Sequence, residues 1–534
     1  MTSLDTTDDG GAGEFSARRV AGFMFMVVGM FMAILDIQIV ASSIGDIQAG
    51  LSASTEEISW VQTSYLIAEV VMIPMSGWLS RLLSTRYIFV ISAGGFTFMS
   101  LLCATATNIE TMIVYRALQG FIGGAMIPSV FSAAYGSVFP PEKRANVSVM
   151  IGLVVTLAPT IGPTLGGYIT DALSWHWLFL INVIPGIVVA TAVWFLVDLD
   201  KPDFSLLNKI DLAGIGLMAL FLGSLEYVLE EGPRNDWLND NTIWWFSVVC
   251  VISGAYFIAH VLTRDDPIVD LKAYRNANFA IGSLLSLFLG VGLYGLTYLY
   301  PLFLSEVRGL SASQIGQIMF VTGICQFLSA PLAGILSQKV DIRVLISIGF
   351  GMLAISNYQM LGITWEWGFD QLFWPQVIRG IGLMFCIVPV NTLALGTLSP
   401  EQLKNASGLY NLMRNLGGAL GLAVINTVLI NRIDLHKDRL RDFFVHGRAA
   451  TDQALAGLQA HIGQTPGIDA PLATVKELYG LMTRDATVMA FADCFFVLTI
   501  CFAAMLLTMP ILKKPEIIGG SGSGSSGGGD GGGH

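Results

Sequence analysis

Fourteen apolar stretches, each long enough to cross a lipid bilayer, follow one another along this chain with almost no soluble domain between them. A hydrocarbon core about 30 Å thick is crossed by about 20 apolar residues of helix. In lipid, where no water satisfies backbone polar groups, helices and closed barrels alone can span. The spans are predicted near 20–41, 57–78, 87–105, 109–136, 146–169, 176–197, 211–230, 241–263, 279–303, 311–336, 343–362, 371–398, 406–431 and 487–510. Of the 534 residues 54% are hydrophobic and 13% charged, against about 25% charged in soluble domains. The fold class is therefore an all-α polytopic membrane protein.

The net charge of −11 comes from a polar N-terminal tail, outer loops and a few intramembrane acids, and indicates no nucleic-acid partner. All six cysteines fall inside apolar spans without Cys-x-x-Cys or Cys/His spacing, which argues against disulfide and zinc frameworks. The N-terminus resembles neither a signal nor a transit peptide, so the first span doubles as the insertion signal. Basic residues decide orientation. One set of loops and tails holds Arg18, Arg19, Arg81, Arg86, Lys143, Arg144, Lys201, Lys209, Arg264, Lys272, Arg275, Lys339, Arg343, Lys404, Lys513 and Lys514; the short loops opposite hold Arg234 and Arg308. That asymmetry predicts both termini in the cytoplasm of a multi-pass protein.

An internal repeat organises the spans. Pro74-Met-Ser-Gly77-Trp-Leu79-Ser80, ending at Arg86, returns 257 residues later as Pro331-Leu-Ala-Gly334-Ile-Leu336-Ser337, ending at Arg343. Pro141-Glu-Lys-Arg-Ala-Asn146-Val-Ser148 returns 259 residues later as Pro400-Glu-Gln-Leu-Lys-Asn405-Ala-Ser407. Two related halves follow, with two helices inserted between them. The expected organisation is a cytoplasmic tail over 1–19, a six-helix bundle over 20–200, the inserted pair with its linkers over 201–270, a second six-helix bundle over 271–512 containing an outer loop 433–485, and a Gly-rich tail over 513–534. Repeat-built transporters place their site between the halves, near the membrane midplane.

Ionisable side chains inside spans cost about 2.5–3.5 kcal/mol each on insertion scales, so each is a functional candidate. Asp36 stands alone on an apolar first helix, where a desolvated carboxylate can exchange protons; the competing account is a helix-end acid reaching outer water. Arg116, always charged, needs a carboxylate, carbonyls or water, and its predicted use is to bias a nearby acid. Glu69 is a second proton or cation candidate; Arg379, Arg414 and Asp493 are further intramembrane charges. Glu226 and Glu230, near the outer end of an inserted helix, are explained by snorkelling to water, and His176 and His260 by the interface. In helix 5, Ala158, Gly162 and Gly166 make a smooth face for close helix approach, while Pro159 and Pro163 permit a bend.

These residues resemble the major facilitator superfamily, in its 14-helix drug:proton antiporter branch. Gly162-Pro163-x-x-Gly166-Gly167 is similar to that family's antiporter signature, Arg116-x-x-Gln119-Gly120 to its helix 4 signature, and Leu35-Asp36 with Ile39-Val40 to its helix 1 signature. Trp60, Tyr65, Pro74, Gly77 and Leu79 resemble its helix 2 pattern. The likeness covers essentially the whole chain. It implies proton coupling through the helix 1 acid, Asp36, and a conformational role for Ala158 to Gly167. The residues themselves add Arg116 and Glu69 to the proton-coupling candidates, assign Gly77, Arg81, Arg86, Gly334 and Arg343 to inner-loop gating, and offer Gln38, Tyr65, Gln119, Arg379 and Arg414 as substrate contacts. Departures are Arg81, where the family usually carries Asp, Gln38 and Ala41, where it usually carries Thr and Asn, and Ala158 in place of glycine.

The resemblance implies an exporter of hydrophobic or amphipathic compounds, driven by the proton gradient without a cofactor or metal. It would lie in a bacterial inner membrane and work with a periplasmic adaptor and an outer-membrane channel. Rival readings are a dedicated exporter of a metabolite, fatty acid or siderophore, a transport-dead ligand sensor and an intramembrane enzyme; no His-Glu-x-x-His or Gly-x-Ser-x-Gly supports the last. In the outer segment 433–485, Leu435, Leu440, Phe443, Phe444, Leu455 and Leu458 can line an amphipathic surface helix beside Arg439, Arg441 and Arg448. The tail from Gly519 is flexible by composition and reads either as an expression linker or as native.

Overall fold

A computed structural model describes residues 17–139, 143–264, 266–442, 449–462 and 470–511, and every regular element among them is helical. Fourteen helices are long and apolar enough to cross a membrane. We number them α1 (Ala17–Ser42), α2 (Thr55–Leu83), α3 (Thr85–Ala104), α4 (Ile109–Gly136), α5 (Arg144–Ala172), α6 (Trp177–Leu196), α7 (Leu212–Glu231), α8 (Asn241–Thr263), α9 (Ala277–Glu306), α10 (Ala312–Lys339), α11 (Ile342–Gln359), α12 (Phe369–Leu395), α13 (Pro400–Arg441) and α14 (Ala470–Leu506). Residues 1–16 of the predicted 1–19 tail, the predicted 513–534 tail, Pro141 of the repeat, and Phe443, Phe444 and Arg448 lie outside the described residues.

Helices α1–α6 and α9–α14 form two six-helix bundles, and α7 and α8 pair beside them. The repeat persists in atomic detail. A capping box starts α2, with the Ser54 hydroxyl accepting from the Glu57 N–H; 257 residues later Ser311 and Gln314 start α10 in the same way. The bundles meet along two seams, α2 against α13 and α5 against α10. Within the first bundle α5 lies on α1 at Gly166, where a Cβ would come within 2.7 Å of the Ile39 carbonyl oxygen. Only glycine permits that approach, which seats the helix that carries Asp36.

One predicted span is interrupted and two are longer than expected. Helix α4 is interrupted at Gly124-Ala125 and ends in a π-helical turn at Ala134–Val138, a geometry that recurs at functional sites. The outer segment 433–485 is largely helical rather than a loop. Helix α13 runs 42 residues, about 63 Å at 1.5 Å per residue, far beyond a bilayer core. Helix α14 begins at Ala470, well before the predicted 487. The short helix Ala449–Ile462 packs on α14 with Leu455 and Leu458 half-buried.

Candidate functional site

Asp36 and Arg116 have no solvent exposure and form an ion pair, Arg116 Nη1 to Asp36 Oδ2 at 2.6 Å. The same nitrogen donates to Gln119 Oε1 at 2.6 Å, one turn along α4, and Arg116 Nε donates to the Val61 carbonyl of α2 at 3.1 Å. The guanidinium lies 4.2 Å from the centre of the Tyr65 ring. On its other oxygen Asp36 accepts from Asn182 Nδ2 of α6 at 2.7 Å and more weakly from Gln119 Nε2 at 3.5 Å. Ser100 Oγ of α3 accepts from Gln119 at 2.7 Å and from Asn182 at 3.3 Å. The network around this one carboxylate thus ties together α1, α2, α3, α4 and α6. Breaking such a buried pair by removing one partner costs about 3–5 kcal/mol, because the other charge is left uncompensated. Gly120 makes the site compact: a Cβ there would lie 2.3 Å from the Tyr65 carbonyl oxygen.

Between the bundles lies a chamber of about 510 Å³, lined by α1, α2, α5, α7, α9 and α13. It extends toward the loops that carry Arg234 and Leu310, opposite the Lys/Arg-rich face. Among the predicted substrate contacts Gln38 lines it, whereas Tyr65, Gln119 and Arg379 do not. Tyr65 and Gln119 instead belong to the ion-pair network. A small void of about 20 Å³ touches Glu69, Tyr294, Asn411, Arg414 and Asn415, a volume that holds about one water. Glu69 is buried in α2 and accepts across the seam from Asn415 Nδ2 of α13 at 3.3 Å. Arg414 donates to Asn391 Oδ1 at 2.8 Å and to the Tyr410 hydroxyl at 3.0 Å. Arg379 is fully buried 5.1 Å from the Tyr300 ring centre, and its nitrogens have no hydrogen-bond partner among the described residues.

The snorkelling expectation for α7 is corrected. Glu226 is 2% exposed and, with Glu230, lines the chamber. It turns inward because α7 packs on α2 along this face. Asp493, half-buried, is paired with His436 at 2.8 Å and Arg432 at 3.5 Å. His176 stacks on Trp175, and His260 holds Asp211 at the start of α7. Burial pushes the Asp211 carboxyl up, but hydrogen bonds from the Gly214 N–H, His260 and the Ile268 N–H outweigh it and hold the group below its ordinary value.

At the Lys/Arg-rich face the bundles are bonded shut. Lys404 of α13 pairs with Asp200, which also accepts from the Thr85 N–H at 2.9 Å. Arg144 donates to the Gly396 carbonyl at 2.9 Å, Ser148 and Thr392 share a hydroxyl bond at 2.9 Å, and Gln338 donates to Asn146 at 3.4 Å. Gly77 lies against Lys404 and Asn405, where a Cβ would come within 2.7 Å of a carbonyl oxygen. The buried Gly334 carbonyl accepts from Ser337 at 2.8 Å. Arg81 offers its carbonyl to the Asp203 N–H at 3.2 Å, Arg86 approaches Asp198 at 3.8 Å, and Arg343 pairs with Asp341 at 2.7 Å. Of the predicted gating group, Gly77 lies directly on the seam between α2 and α13. Sequence reasoning missed Asn182, Ser100, Lys404 and Asp200.

Two six-helix bundles around a central chamber, with a buried ion pair in one bundle, define a membrane transporter. The sequence profile of the Major Facilitator Superfamily matches residues 26–422, and the chain belongs to that family. It is 42% identical over 488 residues to the colistin resistance protein EmrB of Acinetobacter baumannii, covering 91% of this chain and 95% of that one. It is 30% identical to the multidrug export protein EmrB of Escherichia coli, covering 95% and 98%. Among solved structures, the human organic anion transporter MFSD10 shares the fold at a TM-score of 0.56 and 13% identity, covering 91% of this chain and all of that one.

Proposed function

We propose that the chain is a proton-coupled multidrug exporter that expels hydrophobic or amphipathic compounds by alternating access, and not an enzyme. The observation that carries this reading is the dry Asp36–Arg116 pair in one bundle beside a chamber shared by both. The two EmrB relatives, named for colistin resistance and multidrug export, support the substrate class. The basic loops support placing the Lys/Arg-rich face in the cytoplasm of a bacterial inner membrane, so this state is closed inward and open outward. A proton entering from outside breaks the Arg116 pairing and frees the bundle to rock. Its loss inward restores the pair as substrate loads. Glu69, bonded across the seam, carries the change to α13. No cofactor is needed: a proton crossing 100 mV supplies about 2.3 kcal/mol, enough for roughly a 50-fold gradient of a neutral solute. By likeness to EmrB the partners are an EmrA-like periplasmic adaptor and an outer-membrane channel.

The test is transport in proteoliposomes under an imposed pH gradient, with a panel of uncouplers, cationic dyes and fatty acids. Wild type is expected to move protons against substrate, and Asp36→Asn to lose proton movement while still binding substrate. Substrate-driven proton flux at wild-type rate in Asp36→Asn would sink the reading.

A further inference from the structure

Helix α7 lies outside the two repeats, yet it forms part of the chamber wall. Three contacts fix its rotation: Glu231 accepts from the Thr63 hydroxyl at 3.1 Å, Tyr227 stacks on Trp60 with ring centres 5.4 Å apart, and in the following loop Trp237 Nε1 donates to Thr427 of α13 at 2.9 Å. The inserted pair is thereby fastened to both bundles, and Glu226 is aimed inward. Its Oε2 is buried and has no hydrogen-bond partner among the described residues.

Two polar side chains of the chamber wall have their donors engaged elsewhere. Asn415 gives its amide to Glu69, and the Tyr298 hydroxyl gives its proton to Asn426. Glu69 and Glu230 both lie within electrostatic reach of Glu226, and Tyr294 lies within reach of both Glu69 and Glu226. Among the described lining residues one cation, Arg234, faces the chamber, within electrostatic reach of Glu230. A buried carboxylate without a donor is costly unless it takes up a proton or a cation joins it, and the Tyr294 and Tyr298 rings offer π-faces for such a cation.

We propose that the inserted helix supplies the specificity-determining residue of the substrate site: Glu226 receives the positively charged amine or onium group of an amphipathic substrate, between Tyr294 and Tyr298. A chamber of about 510 Å³ lies within the roughly 300–1,000 Å³ of small-molecule sites. The proposal rests on the exporter reading for its substrate and not for its test, which is equilibrium binding without a gradient.

The experiment compares ethidium, a permanent cation, with N-phenyl-1-naphthylamine, uncharged at neutral pH, by fluorescence titration of the purified full chain. Glu226→Gln is expected to weaken ethidium about tenfold or more, as loss of a charge-assisted contact predicts. It should leave the neutral probe within about twofold, which also reports a folded chamber. Glu226→Asp should recover part of the ethidium affinity. Unchanged ethidium binding in Glu226→Gln, equal weakening of both probes, or a wild type that binds only the neutral probe would overturn the proposal. In each case Asp36-dependent transport could persist, so the exporter reading fails separately.

Discussion

The two bundles carry the same hydrogen-bond frame around different chemistry. In α4 the run is Arg116-x-x-Gln119-Gly120; in α12 it is Gln376-x-x-Arg379-Gly380, the same residues with Arg and Gln exchanged. Arg116 donates to the Val61 carbonyl at 3.1 Å, and Gln376 donates to the Ile318 carbonyl at 3.0 Å, its equivalent 257 positions on. Gly120 and Gly380 each lie against a backbone carbonyl, at Tyr65 and Thr322, again 257 apart. Yet Arg116 meets a carboxylate, and Arg379 meets the Tyr300 ring. Where the first bundle has Glu69, the second has Gln326. The shared frame is architecture; what sets the first bundle apart is the addition of Asp36 to it.

The largest effect expected from that difference is at the two arginines. Arg116→Met strands the Asp36 carboxylate in a dry site and should cost about 3–5 kcal/mol of stability along with all proton-coupled transport. Arg379→Met removes a charge that has no carboxylate partner and replaces it with a side chain of similar length, a change that is often neutral or stabilising. Thermal unfolding and flux measured on both would break the comparison if Arg379→Met proved the more damaging. Pairing Arg116→Met with Asp36→Asn should recover stability without recovering transport, because the double variant has no stranded charge.

The glycines give a smaller, more even effect. An alanine at Gly120 must push against the Tyr65 carbonyl at 2.3 Å, and one at Gly380 against the Thr322 carbonyl at 2.7 Å. Both are backbone atoms with little room to yield, so each substitution should cost about 1–3 kcal/mol in thermal unfolding. Gly120→Ala should in addition depress flux, since it displaces the helix that carries Arg116. Equal losses of flux in the two variants would show that the frame, rather than the ion pair, limits transport.

Much of this was legible in the sequence, and the part that was not has physical reasons. Hydrophobic length marks a span whatever packs on it, so all fourteen spans were visible. A lone charge in an apolar run is conspicuous, so Asp36 and Arg116 were visible too. Asn182 and Ser100 were not, because a neutral amide or hydroxyl is cheap in many places and gains meaning only from the carboxylate beside it. Glu226 was misread because nearness to a helix end suggests escape to water, while the contacts of α7 with α2 that turn it inward are tertiary. The exchanged Arg and Gln stand 260 residues apart, near the repeat offsets of 257 and 259, and could have been found by sliding one half along the other. Charge asymmetry in the loops spoke to orientation but not to the clasp of Lys404 on Asp200, which joins segments far apart in the chain.

The finest distinction is at Glu69. Replacing it by Gln makes the first bundle like the second at this position and keeps an oxygen to accept from Asn415. The lost charge-assisted part of that bond is worth about 1 kcal/mol, so stability should change little. If coupling resides in the Asp36–Arg116 pair and Glu69 only carries the change across the seam, Glu69→Gln should slow proton-coupled flux severalfold and leave its dependence on the pH gradient intact. Flux in proteoliposomes at graded pH differences reads both quantities. Complete loss of gradient dependence in Glu69→Gln, equal to that expected of Asp36→Asn, would move the proton site from α1 to α2. It would also make the absence of an acid at Gln326, rather than the absence of an Asp36 equivalent, the feature that sets the two bundles apart.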